Sequence, residues 1–303
     1  MHQSIPVFPQ LAPLELHHKP ALDALFRAER PCLSEFTFTN LYIWRHAYGA
    51  MVTRFGEVVC LVSWRPDPDA SFVLPPVGQG ASVEHVRACL DLMRQEGHDP
   101  KLCRAEQCTL DKLGVDDKEF VIESDRDDWD YVYRVQDLID LPEDRYPDKA
   151  RHVKQFSKRF KYEYRPLTPD LVPACQELQD LWCDDKRCDL YSSLRAEARA
   201  AKEILERLEE LNLKGGAILV NNRVQAFSLG EPLNDDTVVI HIEKASPDLH
   251  GAFQVINQEF LRHEWADWEY VNREQDVGDP GLRQAKESYL PVKMIEKFTV
   301  RPR

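Results

Sequence analysis

The sequence contains no long hydrophobic run. Its longest apolar stretches, such as Val58–Trp64 and Ala217–Val220, fall far short of the ~20 residues that a membrane-spanning helix needs. The first sixteen residues also lack a basic segment followed by an apolar one, so the sequence predicts no secretory signal. We therefore expect a soluble, cytoplasmic protein.

The cysteines follow no metal-binding or disulfide pattern. Eight are scattered along the chain, and the pairs Cys103/Cys108 and Cys183/Cys188, each with four intervening residues, do not have the spacing of zinc knuckles. Thiols in a reducing compartment stay free. We expect neither a metal site nor a cofactor.

Basic residues are outnumbered, with 39 Lys and Arg against 52 Asp and Glu, which gives a formal net charge of −13. This charge excludes a general affinity for nucleic acid or for an anionic membrane face. The exception is the segment 145–165, which contains eight basic residues and only two acidic ones. On a helix over about residues 148–160, Arg151, Lys154 and Lys158 share one face. This stripe is either a site for a polyanion or a solvated helix face.

The length of 303 residues predicts two domains, and hydrophobic periodicity is clearer in the second half. There we predict strands at 162–167, 214–220, 223–231, 237–244, 268–272 and 292–300, and helices at 168–183, 194–211, 251–265 and 281–288. Asn221-Asn222 tolerates positive φ and predicts a tight hairpin between two of these strands.

The first half runs through the same order with weaker signals. We predict helices at 20–30, 34–48, 83–95 and 106–113, and strands at 50–54, 58–65, 71–74, near 102 and at 119–124. Because the two halves have the same order of helices and strands, the sequence indicates a tandem duplication. Residues 131–141 read as a crossing strand and 142–147 as a linker, so the predicted domains are 1–141 and 142–303.

This order of elements resembles the GNAT acyltransferase fold, an α/β (α+β) fold with mixed sheets flanked by helices. Four segments resemble one bacterial family more specifically: HIEKA at 241–245, GAFQVINQEF at 251–260, YVNREQDVGDPGLRQAK at 270–286 and SEFTFTNLYIWR at 34–45. They are similar to the C-terminal domain of phosphatidylglycerol lysyltransferases, and most closely to its stand-alone soluble members. The resemblance implies tandem GNAT-like domains, with the likelier active cleft in the second.

The resemblance also implies a function. In characterised relatives an aminoacyl group moves from aminoacyl-tRNA to a lipid head group, and those enzymes carry a membrane-embedded region that this chain lacks. We therefore expect an aminoacyltransferase whose acceptor is a lipid head group or another small molecule. Its tRNA would lie along Arg151, Lys154 and Lys158.

The sequence does not favour a binding site for acetyl-CoA. GNAT enzymes hold this molecule on backbone N–H groups at a helix N-terminus. In the second domain the matching turn runs from Asp248 to Phe253, and it places a carboxylate and a bulky ring where a cation and a small residue are needed. The first domain retains only Gly78-x-Gly80, a pattern shared with plain turns.

The candidate active cleft lies where the fourth and fifth strands of the second domain separate. Alternation along a strand places His241 and Glu243 on one face. Aminoacyl transfer needs a base and an oxyanion stabiliser, so Glu243 or His241 is the candidate base, and Lys286 or Asn272 the stabiliser. The candidate substrate-binding residues nearby are Glu274, Gln275, Asp276 and Arg283. The alternative is a buried polar network that only fixes the loop.

The motif at 34–45 adds Glu35, Asn40 and Trp44 as substrate-binding candidates on the wall of a groove between the domains; the alternative is packing. Three functions remain open at this stage. The first is an aminoacyl-tRNA-dependent transferase, the second a GNAT-type acyl-CoA-dependent N-acyltransferase, and the third a non-catalytic binding module. The sequence leaves the oligomeric state open.

Overall fold

A computed structural model describes residues 4–303. The strands in chain order are β1 (Ala12–Pro13), β2 (Ala50–Phe55), β3 (Val58–Ser63), β4 (Phe72–Val73), β5 (Leu102–Ala105), β6 (Phe120–Ser124), β7 (Asp130–Arg134), β8 (Tyr162–Pro166), β9 (Lys214–Val220), β10 (Arg223–Pro232), β11 (Thr237–Ala245), β12 (Tyr270–Asn272), β13 (Lys293–Ile295) and β14 (Phe298–Pro302).

The α-helices in chain order are α1 (Lys19–Glu29), α2 (Phe38–Ile43), α3 (Arg45–Tyr48), α4 (Val83–Gln95), α5 (Gln107–Leu113), α6 (Val135–Asp140), α7 (Pro147–Arg159), α8 (Val172–Lys186), α9 (Ser192–Glu206), α10 (Leu208–Leu211), α11 (Ala252–Glu264) and α12 (Pro280–Glu287). Among the described residues, none of these helices is both long and apolar enough to cross a bilayer.

The chain forms two compact units that alternate along the sequence. The first consists of residues up to Asp130 together with Gln275–Pro280 and Met294–Arg303, and the second of Tyr131–Glu274 and Gly281–Lys293. Division into two domains at 141/142, as expected from the sequence, stays a prediction. Two mixed sheets flanked by helices confirm the predicted α/β class and its GNAT-like architecture.

The first sheet has the strand order β1-β2-β3-β4-β5-β14-β6. The apolar face of α4 packs on it, with Val86, Leu90 and Met93 at helical spacing in one buried cluster. Strand β14 lies between β5 and β6, antiparallel to both. The predicted single strand 292–300 is therefore wrong: it is two strands in two sheets, because Val300 packs into the core of the first unit.

The second sheet has the order β13-β7-β12-β11-β10-β9-β8. Asn221 and Asn222, both at positive φ, connect β9 and β10, which confirms the predicted hairpin. The predicted crossing strand 131–141 is wrong beyond Arg134. There α6 begins and buries Val135, Leu138 and Ile139, a spacing that suits one helix face.

The motif at 34–45 contains two short helices where one was predicted. Helix α2 begins only at Phe38, because the Thr37 hydroxyl caps it by accepting a hydrogen bond from the Asn40 N–H. Ser34, where the predicted helix was to begin, donates to the Asp130 carboxylate through its backbone N–H (2.8 Å).

Candidate functional site

The predicted site residues fall in both units. The second unit holds His241, Glu243, Asn272, Glu274, Arg283 and Lys286, together with the basic stripe on α7. The first unit holds Glu35, Asn40, Trp44, Gln275 and Asp276.

His241 lies at an irregularity in the second sheet. Leu229 pairs with Ile242 and Gly230 with Ile240, so β11 carries one extra residue, His241, opposite β10. Such bulges redirect a side chain and are frequent beside active sites. The His241 ring is fully buried, with Nδ1 3.0 Å from Glu274 Oε1 and Nε2 3.0 Å from Glu231 Oε1.

The two carboxylates keep His241 protonated. Burial disfavours the charge, but the hydrogen bonds to Glu231 and Glu274 outweigh it and raise the pKa of His241 to about 9. Both ring nitrogens then donate. At neutral pH this imidazolium has no free lone pair, so of the two candidate bases the geometry favours Glu243.

The alternation that was expected to place His241 and Glu243 on one face is interrupted by the bulge at His241, so their shared face stays a prediction. Glu243 itself lies opposite Ser228 of β10. Its Oε1 accepts from Arg273 Nη2 (2.9 Å) and its Oε2 from Asn257 Nδ2 (3.2 Å). The carboxylate is mostly buried, with 12% of the side chain exposed. It is therefore held in one orientation by two donors.

The segment after β12 is held in a strained conformation. Glu274 has φ +58°, a left-handed conformation that costs a non-glycine residue about 1–2 kcal/mol. Its N–H donates to the side-chain oxygen of buried Asn272 (2.8 Å). Lys286 donates to the carbonyl of Arg273 and, at 3.4 Å, to that of Glu274. Asn272 and Lys286 thus orient the residues that face His241 and Glu243.

The first unit contains a separate group of buried charges. Lys297, 2% exposed, donates to both carboxylate oxygens of Glu35 (2.7 and 2.8 Å), to Asp130 (2.7 Å) and to Gln275 (3.5 Å). Arg104 Nε lies 3.5 Å from Glu35. Burial raises the pKa of Glu35 although Lys297 opposes the shift. The tight packing of these groups favours a structural role for Glu35.

The remaining first-unit candidates, Asn40, Trp44 and Asp276, are buried or half-buried. Asn40 is buried within α2, and half-buried Trp44 packs against Tyr48 with ring centroids 6.3 Å apart. Asp276 is fully buried, with Arg126 at 3.5 Å and the Gly278 N–H donating to it at 2.9 Å. Their substrate-binding roles stay predictions, as does that of half-buried Arg283 on α12.

The basic stripe lies on α7 (Pro147–Arg159), whose bounds agree to within one residue with those of the helix predicted at about 148–160. Its three side chains are exposed, but Arg151 pairs with Asp148 (2.7 Å) and Lys154 with Glu143. These are surface pairs of small energetic weight. A polyanion can therefore compete for the two cations.

Glu231 and Arg273 were missed by the sequence reasoning. Glu231 lies near the end of β10, ten positions before the quoted segment that begins at His241, and only the pairing of β10 with β11 brings the two side chains together. Arg273 stands inside the quoted 270–286 segment, next to Asn272 and Glu274, so its position was the available signal. In the described part of the chain no group of His, Cys, Asp and Glu is arranged to hold a metal ion.

The turn before α11 has a close backbone approach at its glycine. Gly251 has φ +96°, and a Cβ there would lie 2.9 Å from the His152 carbonyl oxygen. Phe253 is 39% exposed at the first turn of the helix. The expectation that this turn does not bind acetyl-CoA stays a prediction.

Comparison with known proteins gives the following matches. Residues 29–301 match the family model described as phosphatidylglycerol lysyltransferase, C-terminal. The crystal structure of a conserved protein of unknown function from Bacteroides thetaiotaomicron is 29% identical, with a TM-score of 0.89 and coverage of 97% of this chain and 99% of that one. Comparison with curated proteins gives no match.

Two more distant structures share the fold. The C-terminal domain of a protein provisionally named lysylphosphatidylglycerol synthetase, from Agrobacterium fabrum, has a TM-score of 0.64 at 10% identity and covers 94% of this chain and 90% of its own. L-PGS from Bacillus licheniformis has a TM-score of 0.57 at 11% identity, with coverage of 86% and 90%. The family resemblance expected from the four segments is confirmed.

Proposed function

Because the chain belongs to the phosphatidylglycerol lysyltransferase C-terminal family, we propose that it transfers an aminoacyl group from aminoacyl-tRNA to a lipid head group or another small acceptor. The observation that carries the proposal is the group of buried carboxylates and cations that His241 and Glu243 of β11 bring together with the segment after β12. Glu243 is held by Arg273 and Asn257, and the His241 imidazolium is held between Glu231 and Glu274.

In this proposal Glu243 is the general base. It takes the proton from the acceptor hydroxyl or amine as that group attacks the ester carbonyl carbon of the aminoacyl-tRNA. The bond to the ribose oxygen then breaks, and the proton passes to that oxygen. Glu274 would bind the α-ammonium group of the aminoacyl moiety, and Lys286 would stabilise the oxyanion. His241 and Asn272 position Glu274 through their contacts with it.

The direct test follows the acyl group itself. The protein is incubated with a pool of aminoacylated tRNA and candidate acceptors, and mass spectrometry records loss of the aminoacyl ester and gain of mass on the acceptor. A parallel reaction contains an acyl-CoA pool. Transfer only from tRNA supports the proposal, whereas transfer only from acyl-CoA would replace it with the N-acyltransferase function.

The exposed stripe on α7 predicts salt-dependent tRNA binding. The affinity should fall with salt, with a slope of roughly −0.7 to −0.9 per phosphate contact. In the variant Arg151→Glu/Lys154→Glu/Lys158→Glu the affinity should be weaker and the slope flatter by roughly 2, because three cations that can contact phosphates are reversed. Fluorescence anisotropy with labelled tRNA from low to moderate salt measures both.

The matched control for this variant reverses three cations on α9 of the second unit: Arg195, Arg199 and Lys202. These side chains are exposed, so the net charge changes equally without altering α7. Equal losses in the two triple variants would show that only total charge matters. Absence of binding by the parent at low salt would remove the tRNA-borne donor from the proposal.

Acetyl-CoA should not stabilise the protein. A ligand at a hundred times its dissociation constant adds about 2.7 kcal/mol to the free energy of unfolding, which a thermal melt resolves easily. The carboxylate of Asp248 and the exposed ring of Phe253 lie at the turn where the pyrophosphate would have to bind. A clear rise in melting temperature at sub-millimolar acetyl-CoA would contradict this expectation.

A further inference from the structure

Two cations in the second unit approach the same buried ring. The Lys149 ammonium lies 4.3 Å from the centroid of the Tyr289 ring, and the Arg273 guanidinium carbon lies 5.0 Å from it. Tyr133 packs edge-on against Tyr289, with centroids 6.4 Å apart. Aromatic rings attract cations through their faces, so this pair of tyrosines helps to hold two like charges close together.

Lys149 and Arg273 are only partly satisfied by hydrogen bonds and ion pairs within the described chain. Arg273 Nη2 donates to Glu243, but Nη1 is shielded from solvent and has no hydrogen-bond partner among residues 4–303. No carboxylate in the described chain forms an ion pair with half-buried Lys149, since its neighbour Asp148 pairs with Arg151. Buried donors are nearly always satisfied in folded proteins, so an acceptor is missing here.

The charges around the two cations do not balance. Burial, and then the nearby Arg273, lower the pKa of Lys149, and the neighbouring carboxylate of Asp148 offsets this shift only in part. In the group formed by Lys149, Arg273 and Glu243, two cations accompany one carboxylate, since Asp148 is paired with Arg151. One further negative charge would neutralise the group.

We propose that Lys149 and Arg273 form a binding site for a singly charged oxyanion beside Tyr289. A guanidinium edge combined with an ammonium group suits both phosphodiesters and carboxylates. A single charge fits better than two, because the excess of cations is one. This site goes beyond the proposed transfer and involves two residues that the transfer chemistry does not use as base or stabiliser.

The experiment measures binding of small probes, so it does not depend on any activity. Dimethyl phosphate and sodium acetate each carry one negative charge and methyl protons, whose saturation-transfer NMR signal reports binding at constant ionic strength. The parent should give a saturable signal with at least one probe. Lys149→Met should weaken it by about tenfold or more, because a charge-assisted hydrogen bond is lost.

The control Lys202→Met removes the same charge from an exposed position on α9 of the same unit, and it should bind like the parent. Binding of dimethyl phosphate alone assigns the site to a phosphodiester, and binding of acetate alone assigns it to a carboxylate. Absence of saturable binding by either probe, or equal losses in the two variants, would overturn the proposal.

A second measurement separates a ligand site from a purely structural lysine. Without added anion, Lys149→Met should melt at the same temperature as the parent or higher, because it removes a like charge beside Arg273 while keeping an apolar stem against Tyr289. A clearly lower melting temperature would show that Lys149 stabilises the fold, and it would contradict the proposed site.

Discussion

Replacement of Glu243 by Gln should lower the rate of aminoacyl transfer by about 10²–10⁴-fold, the usual contribution of a positioned base. The amide keeps the shape of the side chain and an oxygen that accepts from Arg273, but it cannot take a proton. The rate constant for transfer should fall more than the affinity for the acceptor, because the lost interaction acts in the transition state. Single-turnover assays with purified aminoacyl-tRNA measure the two separately.

The matched control is Glu269→Gln, which removes one carboxylate from an exposed pair with Arg134 in the same unit. It should transfer at the parental rate. Glu243→Asp provides a second variant that retains the charge and withdraws the carboxylate by one methylene, and its rate should lie between those of the parent and the Gln variant. Parental activity in Glu243→Gln would refute the assignment of the base. Loss of folding in both Glu243 variants would assign the residue to a structural network.

Removal of the Lys297 charge should destabilise the protein strongly. In Lys297→Met the carboxylates of Glu35 and Asp130 lose the ammonium that lies 2.7 Å from each, while both stay buried. Breaking a buried ion pair in this way costs about 3–5 kcal/mol. Urea unfolding at neutral pH measures the loss as a lower midpoint.

The pH dependence distinguishes this cause from simple loss of packing. Burial already raises the pKa of Glu35, and without Lys297, the strongest opposing influence, it should rise further. A raised pKa in the folded state means that protonation favours folding as pH falls, so the difference between the variant and the parent should shrink at acidic pH. The exposed control Lys112→Met should cost under about 1 kcal/mol. A Lys297→Met penalty that does not change with pH would contradict the buried-charge explanation.

Local signals in the sequence were sufficient for most helices and strands. The apolar spacing of α4 and α8 and the Asn-Asn turn between β9 and β10 depend on neighbours a few positions away. The four family segments likewise led to the correct family, because they lie within short stretches of chain. Hydrophobic periodicity and turn chemistry act over such distances, so one sequence is enough to interpret them.

Only the tertiary structure decided which sheet each strand joins and which charges meet. Nothing near residues 292–300 in the sequence indicates that β14 pairs with β5 and β6, more than 170 positions earlier in the chain. Lys297 reads as an ordinary surface lysine, yet its carboxylate partners stand 262 and 167 positions away. Glu231 reaches His241 through a bulge in strand pairing, and the protonation of that imidazole follows from burial between two carboxylates. Pairing, burial and pKa depend on contacts between residues far apart in the chain, and a single sequence carries no local trace of them.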